Sequence, residues 1–252
     1  MGLPNAGMRL PDQMRFQQVT HASLVSAQLR ELIEHPDIDE IAERLQAVLV
    51  GGGPQSEPLL KQAVLAGVPV LPTYGSTEMA SQITTMPPHA FIRKSATSGT
   101  LLSYRMLELA EDGEILLQGE TLFDGYLEGQ EVDPAVDDAG WFHSGDVGVL
   151  DDEGFLTVTG RKDRMFISGG ENIQPEEIEA ALMAQADVDL AAVIPVDDEK
   201  FGQRPVAYVV GKLDEAALAS MLPRYKLPVD YRELPQEAIQ GLKIDYQKLE
   251  LS

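Results

Sequence analysis

The sequence predicts an α/β part, residues 1–162, followed by a compact α+β part, residues 163–252. The first part contains a strand, a glycine loop, a helix and a second strand in that order, which is the pattern of a βαβ unit. The two parts meet in a charged stretch, Gly160–Glu179, which is broken at Ser168-Gly169-Gly170. After the break, a proline and two acidic residues mark the first turn of a new helix. We therefore expect a joint between two domains in this stretch.

The beginning of the chain shows less regularity. Residues 1–18 have no clear periodicity and include early glycine and proline breaks, so we expect a loop or a poorly ordered lead. From Thr20 the pattern predicts a helix, because threonine is a good N-cap and apolar residues recur near one helical face. Pro36 is expected to end that helix.

The predicted βαβ unit follows. Ala47–Val50 is a buried strand that leads into Gly51-Gly52-Gly53-Pro54, and Glu57–Ala66 is a helix closed by glycine. The next strand, Val68–Leu71, leads to the loop Tyr74-Gly75-Ser76-Thr77-Glu78. Ligands of open α/β sheets bind at the carboxyl ends of the strands, so both loops lie where a ligand is expected.

From Phe91 to Thr159 the pattern changes to short strands and turn signals, which predicts a small β-rich subdomain. Its clearest strands are Glu114–Gln118, Gly148–Leu150 and Phe155–Val158. The α+β part is expected to end with a short helix. Before it we expect, in order, a helix, two strands, a helix and a strand: Pro175–Ala184, Leu190–Val196, Pro205–Val210, Glu215–Leu222 and Val229–Leu234.

The composition narrows the class of protein. A formal net charge of −22 argues against nucleic acid or an anionic membrane as the main partner. The chain has no cysteine, which excludes disulfides, thiolate metal sites and cysteine nucleophiles. We find no signal peptide and no apolar run that could span a bilayer, so a cytoplasmic location is expected. The four histidines, His21, His35, His89 and His143, lack metal-ligand spacing, and no zinc site is predicted.

Three short motifs could contact a nucleotide, and each has an ordinary structural alternative. Tyr74–Glu78 can present amides and Thr77 to a phosphate, with Glu78 on Mg²⁺, or it can be a capped turn. The glycine loop at residues 51–54 can lie against a flat ligand, or it can be a turn that requires positive φ. In Ser144-Gly145-Asp146 the carboxylate can hold a ribose diol, or it can be a solvated turn residue.

Two basic residues likewise have both a functional and an ordinary structural interpretation. Arg161 could contact the same sugar or pair with a surface acid. Lys243, after a glycine turn, could bring a mobile charge to an anionic transition state, although most such lysines are solvated. Ser98-Gly99-Thr100 lacks the glycine-rich run and the following lysine of a phosphate loop.

Taken in order, the motifs GGGP, YGSTE, SGD, GRKD, SGGENIQPEEIE, FGQRPVA and GLKI resemble the C-terminal half of the acyl-activating, adenylate-forming enzymes. The segments FISGGENIQPEEIE, IPVDDEKFGQRPVA and STEMASQITT are most similar to the o-succinylbenzoate–CoA ligases of menaquinone synthesis. The resemblance covers nearly the whole chain from Val19. It implies that a carboxylic acid is adenylated by ATP with Mg²⁺ and then transferred to coenzyme A. The alternatives are another aryl- or fatty-acid–CoA ligase, or a non-catalytic remnant that binds nucleotide or a protein partner.

The resemblance also implies roles for individual residues. In the part of the large adenylate-forming domain that is present, the adenine would be flanked by Gly52, Gly53, Pro54 and Tyr74, with Gly75 beside them. Thr77 would contact the α-phosphate, Glu78 would bind magnesium, and Asp146 and Arg161 would hold the ribose. The acid pocket would be lined by His21 and Gln28 of the predicted helix, together with Ser81 and Gln82.

In the C-terminal domain the resemblance makes Asp163 the hinge about which the small domain rotates between two half-reactions. Lys243 would assist adenylation. Ser168, Gly169 and Gly170 would swing in to line the pantetheine tunnel for thioester formation.

The sequence contains no glycine- and Ser/Thr-rich phosphate loop ending in lysine, which the family carries upstream. We therefore expect the chain alone to be weak or inactive in adenylation. A truncated gene product, a fragment and one half of a split enzyme are equally compatible with this. A βαβ unit without its sheet neighbours would expose apolar surface, so a homo-oligomer or a complementing N-terminal half is an expected partner.

Overall fold

A computed structural model describes residues 7–53, 56–240 and 243–250. The chain divides into two compact units, residues 1–158 and 159–252. The domain boundary expected after residue 162 stays a prediction. In the described part of the chain, no helix is long and apolar enough to cross a membrane.

The first unit begins with a five-stranded sheet in the order β1-β2-β3-β4-β5. β1, β2 and β3 are parallel, whereas β4 and β5 are added antiparallel. Apolar residues of the sheet pack against the helices, with Leu29, Val48 and Ala63 fully buried. The elements are α1 (Leu10–Phe16), β1 (His21–Leu24), α2 (Ser26–Ile33), α3 (Ile38–Ala42), β2 (Ala47–Val50), α4 (Glu57–Leu65), β3 (Val70–Ser76), β4 (Ser81–Thr85), α5 (Phe91–Lys94) and β5 (Thr100–Leu101).

A second, antiparallel sheet follows, together with a small hairpin. Its elements are β6 (Arg105–Leu109), β7 (Glu114–Gly119), β8 (Tyr126–Glu128), β9 (Glu131–Asp133), β10 (Phe142–Leu150) and β11 (Leu156–Arg161). The sheet order is β11-β10-β7-β6, and β8 pairs with β9. Ile115, Leu117 and Leu156 form its buried face with Met79 and Ile83 from the region of β4. This shared core joins the two sheets of the first unit.

The second unit is built on the long hairpin of β14 and β15. Its elements are β12 (Phe166–Ser168), β13 (Glu171–Ile173), α6 (Pro175–Met183), β14 (Val188–Asp198), β15 (Gly202–Gly211), α7 (Glu215–Met221), β16 (Asp230–Glu233), β17 (Ile239–Gln240), β18 (Lys243–Ile244) and α8 (Gln247–Glu250). Single 3₁₀ turns lie at Arg224–Lys226 and Gln236–Ala238. Residues of α6 and α7 cover one face of the hairpin, and the chain from Leu234 to Leu249 covers the other.

The predicted fold class is confirmed: a βαβ unit, then a β-rich stretch, then an α+β unit. The strand Ala47–Val50 has its predicted bounds, and the predicted helix at Glu57 ends one residue early, at Leu65. In the second unit all predicted elements are present, with α6 at Pro175–Met183. Proline at the first helical position and two acidic residues in the first turn explain why α6 begins there.

Two predictions for the beginning of the chain are wrong. Residues 10–16 form a helix, α1, whose Met14 is buried, instead of belonging to a loop. The predicted helix from Thr20 begins only at Ser26, because His21–Leu24 pairs as a parallel strand with β2. Pairing with a neighbouring strand decided the structure here against a helical pattern that the sequence also allows.

One predicted loop, and one segment for which a turn was the alternative, lie in strands. Tyr74, Gly75 and Ser76 belong to β3, which runs to Ser76 because β4 pairs with it. Ser144-Gly145-Asp146 lies inside β10, where the pairing with β7 is irregular between His143 and Val147. The turn-like composition of both motifs reflects these local departures from regular pairing.

Candidate active site

Tyr74 and Asp146 lie against each other in the first unit. The Tyr74 hydroxyl donates a hydrogen bond to Oδ2 of Asp146 at 2.7 Å, although the residues are 72 positions apart. Tyr74 is near the end of β3 and Asp146 is in β10, so the contact joins the two sheets. The structure thus brings together two residues that were predicted to contact one adenosine.

The irregular part of β10 shapes the backbone around Asp146. The Ser144 hydroxyl donates to the carbonyl of Ile115 at 2.7 Å and accepts from the Asp146 N–H at 3.1 Å. Gly145 has φ +70° and donates its N–H to Oε1 of Glu114 at 3.1 Å. A residue with a side chain rarely adopts such a φ, so the backbone conformation favours glycine at this position. The Ser144 side chain therefore fixes the backbone of Asp146, and the Glu114 side chain fixes that of Gly145.

Glu114 is a functional candidate that the sequence analysis missed. It is only 5% exposed, and its second oxygen, Oε2, lies 3.2 Å from Nδ1 of His143. Nε2 of His143 lies 3.4 Å from Oδ2 of Asp137. The hydrogen bond with Glu114 raises the pKa of His143 above its ordinary value, helped by Asp137 and opposed by burial. In the sequence, the only indication of Glu114 was a single carboxylate at the start of a predicted apolar strand.

Thr77 and Glu78 lie in the turn between β3 and β4. The Ala80 N–H closes this turn on the Thr77 carbonyl at 3.0 Å, and Met79 anchors it in the core. The Thr77 residue is exposed. The carboxylate of Glu78 accepts a hydrogen bond from the Tyr126 hydroxyl at 3.0 Å. Tyr126, in β8, is a second neighbour of the predicted site that the sequence did not indicate.

The residues around Glu78 fit a magnesium ion that arrives with a nucleotide. Among the described residues, no group of three or more histidine, cysteine or acidic side chains could hold a metal ion. Mg²⁺ is often bound by one or two carboxylates, with substrate phosphates completing its ligands. A single partly buried carboxylate at Glu78 suits that arrangement.

Atoms of a neighbouring strand lie so close to Gly75 and Gly51 that neither position has room for a side chain. A Cβ on Gly75 would lie 2.1 Å from the backbone oxygen of Ser81, and one on Gly51 would lie 2.4 Å from Oγ1 of Thr73. Gly52 has φ +81°, and a Cβ on Gly53 would meet nothing within 4 Å. Pro54 lies outside the described residues. Gly52 and Gly53 follow the carboxyl end of β2, the neighbour of β3, as the predicted ligand edge requires.

The predicted acid pocket residues are not brought together as a group. His21 lies at the amino end of β1, opposite the edge that carries Gly52, and its Nδ1 is 2.9 Å from the Thr20 hydroxyl. Gln28 accepts the Val25 N–H at 3.1 Å near the start of α2. Gln82 donates to the Thr85 hydroxyl at 3.2 Å, while Ser81 is exposed. Ser81 and Gln82 lie opposite Ser76 and Gly75 in the β3–β4 pair.

In the second unit, Arg161 and Asp163 form a paired contact. Nε and Nη2 of Arg161 each lie 3.0 Å from a carboxylate oxygen of Asp163. Arg161 lowers the pKa of Asp163. Ser168 is buried, while Gly169 and Gly170 have φ +60° and +91° and form the tight turn between β12 and β13.

Lys243 lies in β18, where its backbone pairs with Gln240 of β17. The role predicted for its side chain lies outside what the structure describes. The chain after it is fixed by the Asp245 N–H, which donates to the carbonyl of Ala238 at 2.8 Å.

A buried charged cluster in the second unit was not predicted. Glu179 in α6 is fully buried and accepts from Arg164 at 2.7 Å, from the Val193 N–H at 2.8 Å and from the Tyr246 hydroxyl at 3.2 Å. Arg164 also contacts Glu176 at 2.7 Å and lies over the Tyr246 ring, 4.0 Å from its centroid. Burial raises the pKa of Glu176 and of the Tyr246 phenol.

Comparison with known proteins shows which family this chain resembles. The family model of the AMP-binding enzymes matches residues 4–127, and that of the AMP-binding enzyme C-terminal domain matches residues 177–237. A 2-succinylbenzoate–CoA ligase of Bacillus cereus is 37% identical over 247 residues, covering 91% of this chain and 51% of the relative.

Two solved structures of o-succinylbenzoate CoA synthetase (MenE) from Bacillus subtilis are similar in fold. The complex with the acyl-adenylate intermediate OSB-AMP has a TM-score of 0.81 and 31% identity, covering 95% of this chain and 52% of that one. The complex with ATP and magnesium has a TM-score of 0.80 and 30% identity, covering 95% and 53%.

The chain spans about half the length of the curated relatives it matches. Because two models of one family match most of it, in the order of that family's domains, the chain belongs to the AMP-binding enzymes.

Proposed function

We propose that this chain is the later part of an ATP-dependent, AMP-forming acid–CoA ligase that acts on 2-succinylbenzoate in menaquinone synthesis. The observation that carries the proposal is the hydrogen bond of 2.7 Å between Tyr74 and Asp146. It places an aromatic ring beside a carboxylate, the two groups that an adenosine needs for its base and its ribose. The name of the Bacillus cereus relative supports the choice of acid.

Asp146 is the proposed ribose contact. A carboxylate offers two oxygens and about four acceptor positions, enough to accept both hydroxyls of a ribose diol while one is used by Tyr74. The Tyr74 hydroxyl fixes the carboxylate, which leaves less rotamer freedom to be lost when a nucleotide binds. Gly52 and Gly53 have no side chain that could keep a flat base from the backbone.

The proposed chemistry begins with a carboxylate, which is a poor electrophile and must be activated. Attack of the acid on the α-phosphate of ATP releases pyrophosphate and gives an acyl-adenylate. We assign the Thr77 hydroxyl to the α-phosphate and the ammonium of Lys243 to the negative charge that gathers there. Bound magnesium would neutralise phosphate charge, and Glu78 would be its protein ligand.

In the second half-reaction the thiol of coenzyme A attacks the acyl carbon and AMP leaves. We assign the turn Ser168, Gly169 and Gly170 to the pantetheine arm, because a Cβ on Gly170 would meet nothing within 4 Å and the backbone there is open to a ligand. Asp163 is the proposed hinge and Arg161 a further nucleotide contact. The pair that they form here uses two of the five N–H groups of the Arg161 guanidinium.

The 252-residue chain by itself is proposed to be weak or inactive in adenylation, because its sequence contains no phosphate loop. Large apolar side chains are exposed on the first unit, with Phe16 at 74%, Leu65 at 87% and Ile92 at 88%. Such surface favours association. We propose that a complementing N-terminal half, or a second copy of the chain, covers it.

The test is calorimetric binding of a non-hydrolysable 2-succinylbenzoyl-adenylate analogue to the 252-residue protein. Binding that is lost in Asp146→Asn and kept in Asp152→Asn, an exposed aspartate of the same unit, supports the proposal. No binding by the unaltered chain contradicts it. An analogue carrying benzoate or a fatty acid that binds as tightly would contradict the choice of acid.

The claim of weak activity has its own test. Robust magnesium-dependent exchange between ATP and pyrophosphate by the purified chain would contradict it. Restoration of exchange by an added N-terminal half would support the proposed partner.

A further inference from the structure

Lys243 lies in a small hairpin formed by β17 and β18, and this lysine-bearing segment is too short to be stable by itself. β17 and β18 have two residues each. An isolated two-stranded hairpin is at best marginally stable in water, so contacts outside the hairpin must fix this segment. For a lysine that acts on a transition state, a misplacement of about 1 Å costs roughly a hundredfold in rate.

Tyr246, three residues after Lys243, contacts the buried charged cluster of the second unit. Its ring lies under the guanidinium of Arg164, 4.0 Å from Cζ to the ring centroid. Its hydroxyl donates to Oε1 of Glu179 at 3.2 Å. Stacking of a guanidinium on a partly buried tyrosine adds to the apolar contact that the ring makes with the neighbouring core.

The partners of Tyr246 are themselves fixed. Oε1 of Glu179 also accepts the Val193 N–H at 2.8 Å, and Nη2 of Arg164 donates to the Val193 carbonyl at 3.1 Å. The cluster therefore binds both backbone groups of one residue in β14, the strand at the edge of the sheet. Burial, and then the charge of Glu179, raise the pKa of the Tyr246 phenol, so the hydroxyl remains a donor at neutral pH.

We propose that Tyr246 is a positioning residue for Lys243: through Arg164 and Glu179 it fixes the lysine-bearing segment to the residue that directly follows Asp163. The catalytic half of this statement rests on the proposed function. The anchoring half rests only on the contacts of Tyr246. Tyr246→Leu then loosens the segment, whereas Tyr246→Phe, which keeps the ring on Arg164, largely preserves it.

Hydrogen exchange of backbone amides in the 252-residue protein tests the anchoring. In Tyr246→Leu we expect exchange of residues 239–246 to become about tenfold faster or more, while the Val193 amide is unchanged. Tyr246→Phe should stay within about threefold of the unaltered chain. Tyr225→Leu, which removes a tyrosine that is 42% exposed in the same unit, is the matched control and should change neither region. Unchanged exchange in Tyr246→Leu, or equal acceleration at Val193, overturns the proposal.

The catalytic half is tested by pyrophosphate exchange in whichever preparation shows it, the chain alone or the chain with a complementing half. We expect Tyr246→Leu to lower kcat about tenfold or more with the KM for ATP unchanged, and Tyr246→Phe to restore most of kcat. Full kcat in Tyr246→Leu overturns this half. A lack of all exchange activity in every preparation contradicts the proposed function, while the hydrogen-exchange result still decides the anchoring.

Discussion

The hydroxyl of Tyr74 donates to the carboxylate of Asp146 across the two sheets of the first unit, at 2.7 Å. Neither residue is fully buried, so the pair is open to a ligand as well as to its own sheet neighbours. A tyrosine and an aspartate in this contact can serve one nucleoside, with the ring on the base and the carboxylate on the ribose.

Loss of the Tyr74 hydroxyl is the first prediction. Tyr74→Phe keeps the ring but removes its hydrogen bond to the carboxylate, so we expect the adenylate analogue to bind about tenfold more weakly. That loss corresponds to about 1.4 kcal/mol, within the range for a hydrogen bond to a charged group. Calorimetric titration measures it. Tyr104→Phe, at an exposed tyrosine of the same unit, is the control, and equal losses in both variants would contradict the role of Tyr74.

The close approach of β3 to β4 gives a second prediction. In Gly75→Ala the new Cβ would lie 2.1 Å from the Ser81 oxygen, so the strands must move apart. We expect the free energy of unfolding of the first unit to fall by about 3 kcal/mol. The single tryptophan, Trp141, reports this transition in urea because it lies in the first unit.

Gly53→Ala, in the loop that follows β2, is the matched control. A Cβ there meets nothing within 4 Å, so stability should stay within about 1 kcal/mol of the unaltered protein. If Gly75→Ala unfolds at the same urea concentration as Gly53→Ala, the packing of β3 against β4 does not require glycine at position 75.

The sequence predicted best those elements that local pattern determines. The apolar run Ala47–Val50 and the proline with two acids at Pro175 each identify an element without knowledge of its neighbours. His21–Leu24 was mispredicted because only its pairing with β2 makes it a strand. The motifs around Tyr74 and Asp146 were found, but the strand pairing that places them inside β3 and β10 was not predicted.

The side-chain partners of the site could not be predicted. Tyr126 is 48 positions from Glu78, and Tyr246 is 67 positions from Glu179. Such pairs form only in the tertiary fold, and local sequence patterns do not show which distant residues come into contact. A buried carboxylate such as Glu114 leaves only a weak signal, a charge where an apolar strand begins. Motif order therefore identified the family, while geometry was needed to find the supporting residues.

The Glu114–His143–Asp137 contacts predict a pH effect. The pKa of His143 is raised in the folded protein, so its stabilising contribution is complete below about 6.5, its ordinary value. As the pH rises through the folded pKa that contribution is lost. In Glu114→Gln we expect the pKa of His143, followed by NMR of its ring, to fall toward its ordinary value. Glu111→Gln, at an exposed acid near the start of the same strand, should not move it. An unshifted titration in Glu114→Gln would exclude Glu114 as the cause.

Two acids of α6, Glu179 and Glu177, should differ sharply in what they contribute to the second unit. Glu179→Leu leaves Arg164 and the Val193 N–H without their buried acceptor, and we expect a loss of at least about 3 kcal/mol in the free energy of unfolding. Glu177→Leu removes an exposed carboxylate that pairs with Lys226 at the surface, and such a pair contributes about 0–1 kcal/mol. Hydrogen exchange at the Val209 amide of β15, which contacts neither substituted residue, measures the free energy of unfolding in both variants. Similar losses would mean that burial of Glu179 adds nothing, and the anchoring ascribed to Tyr246 would then lack its fixed partner.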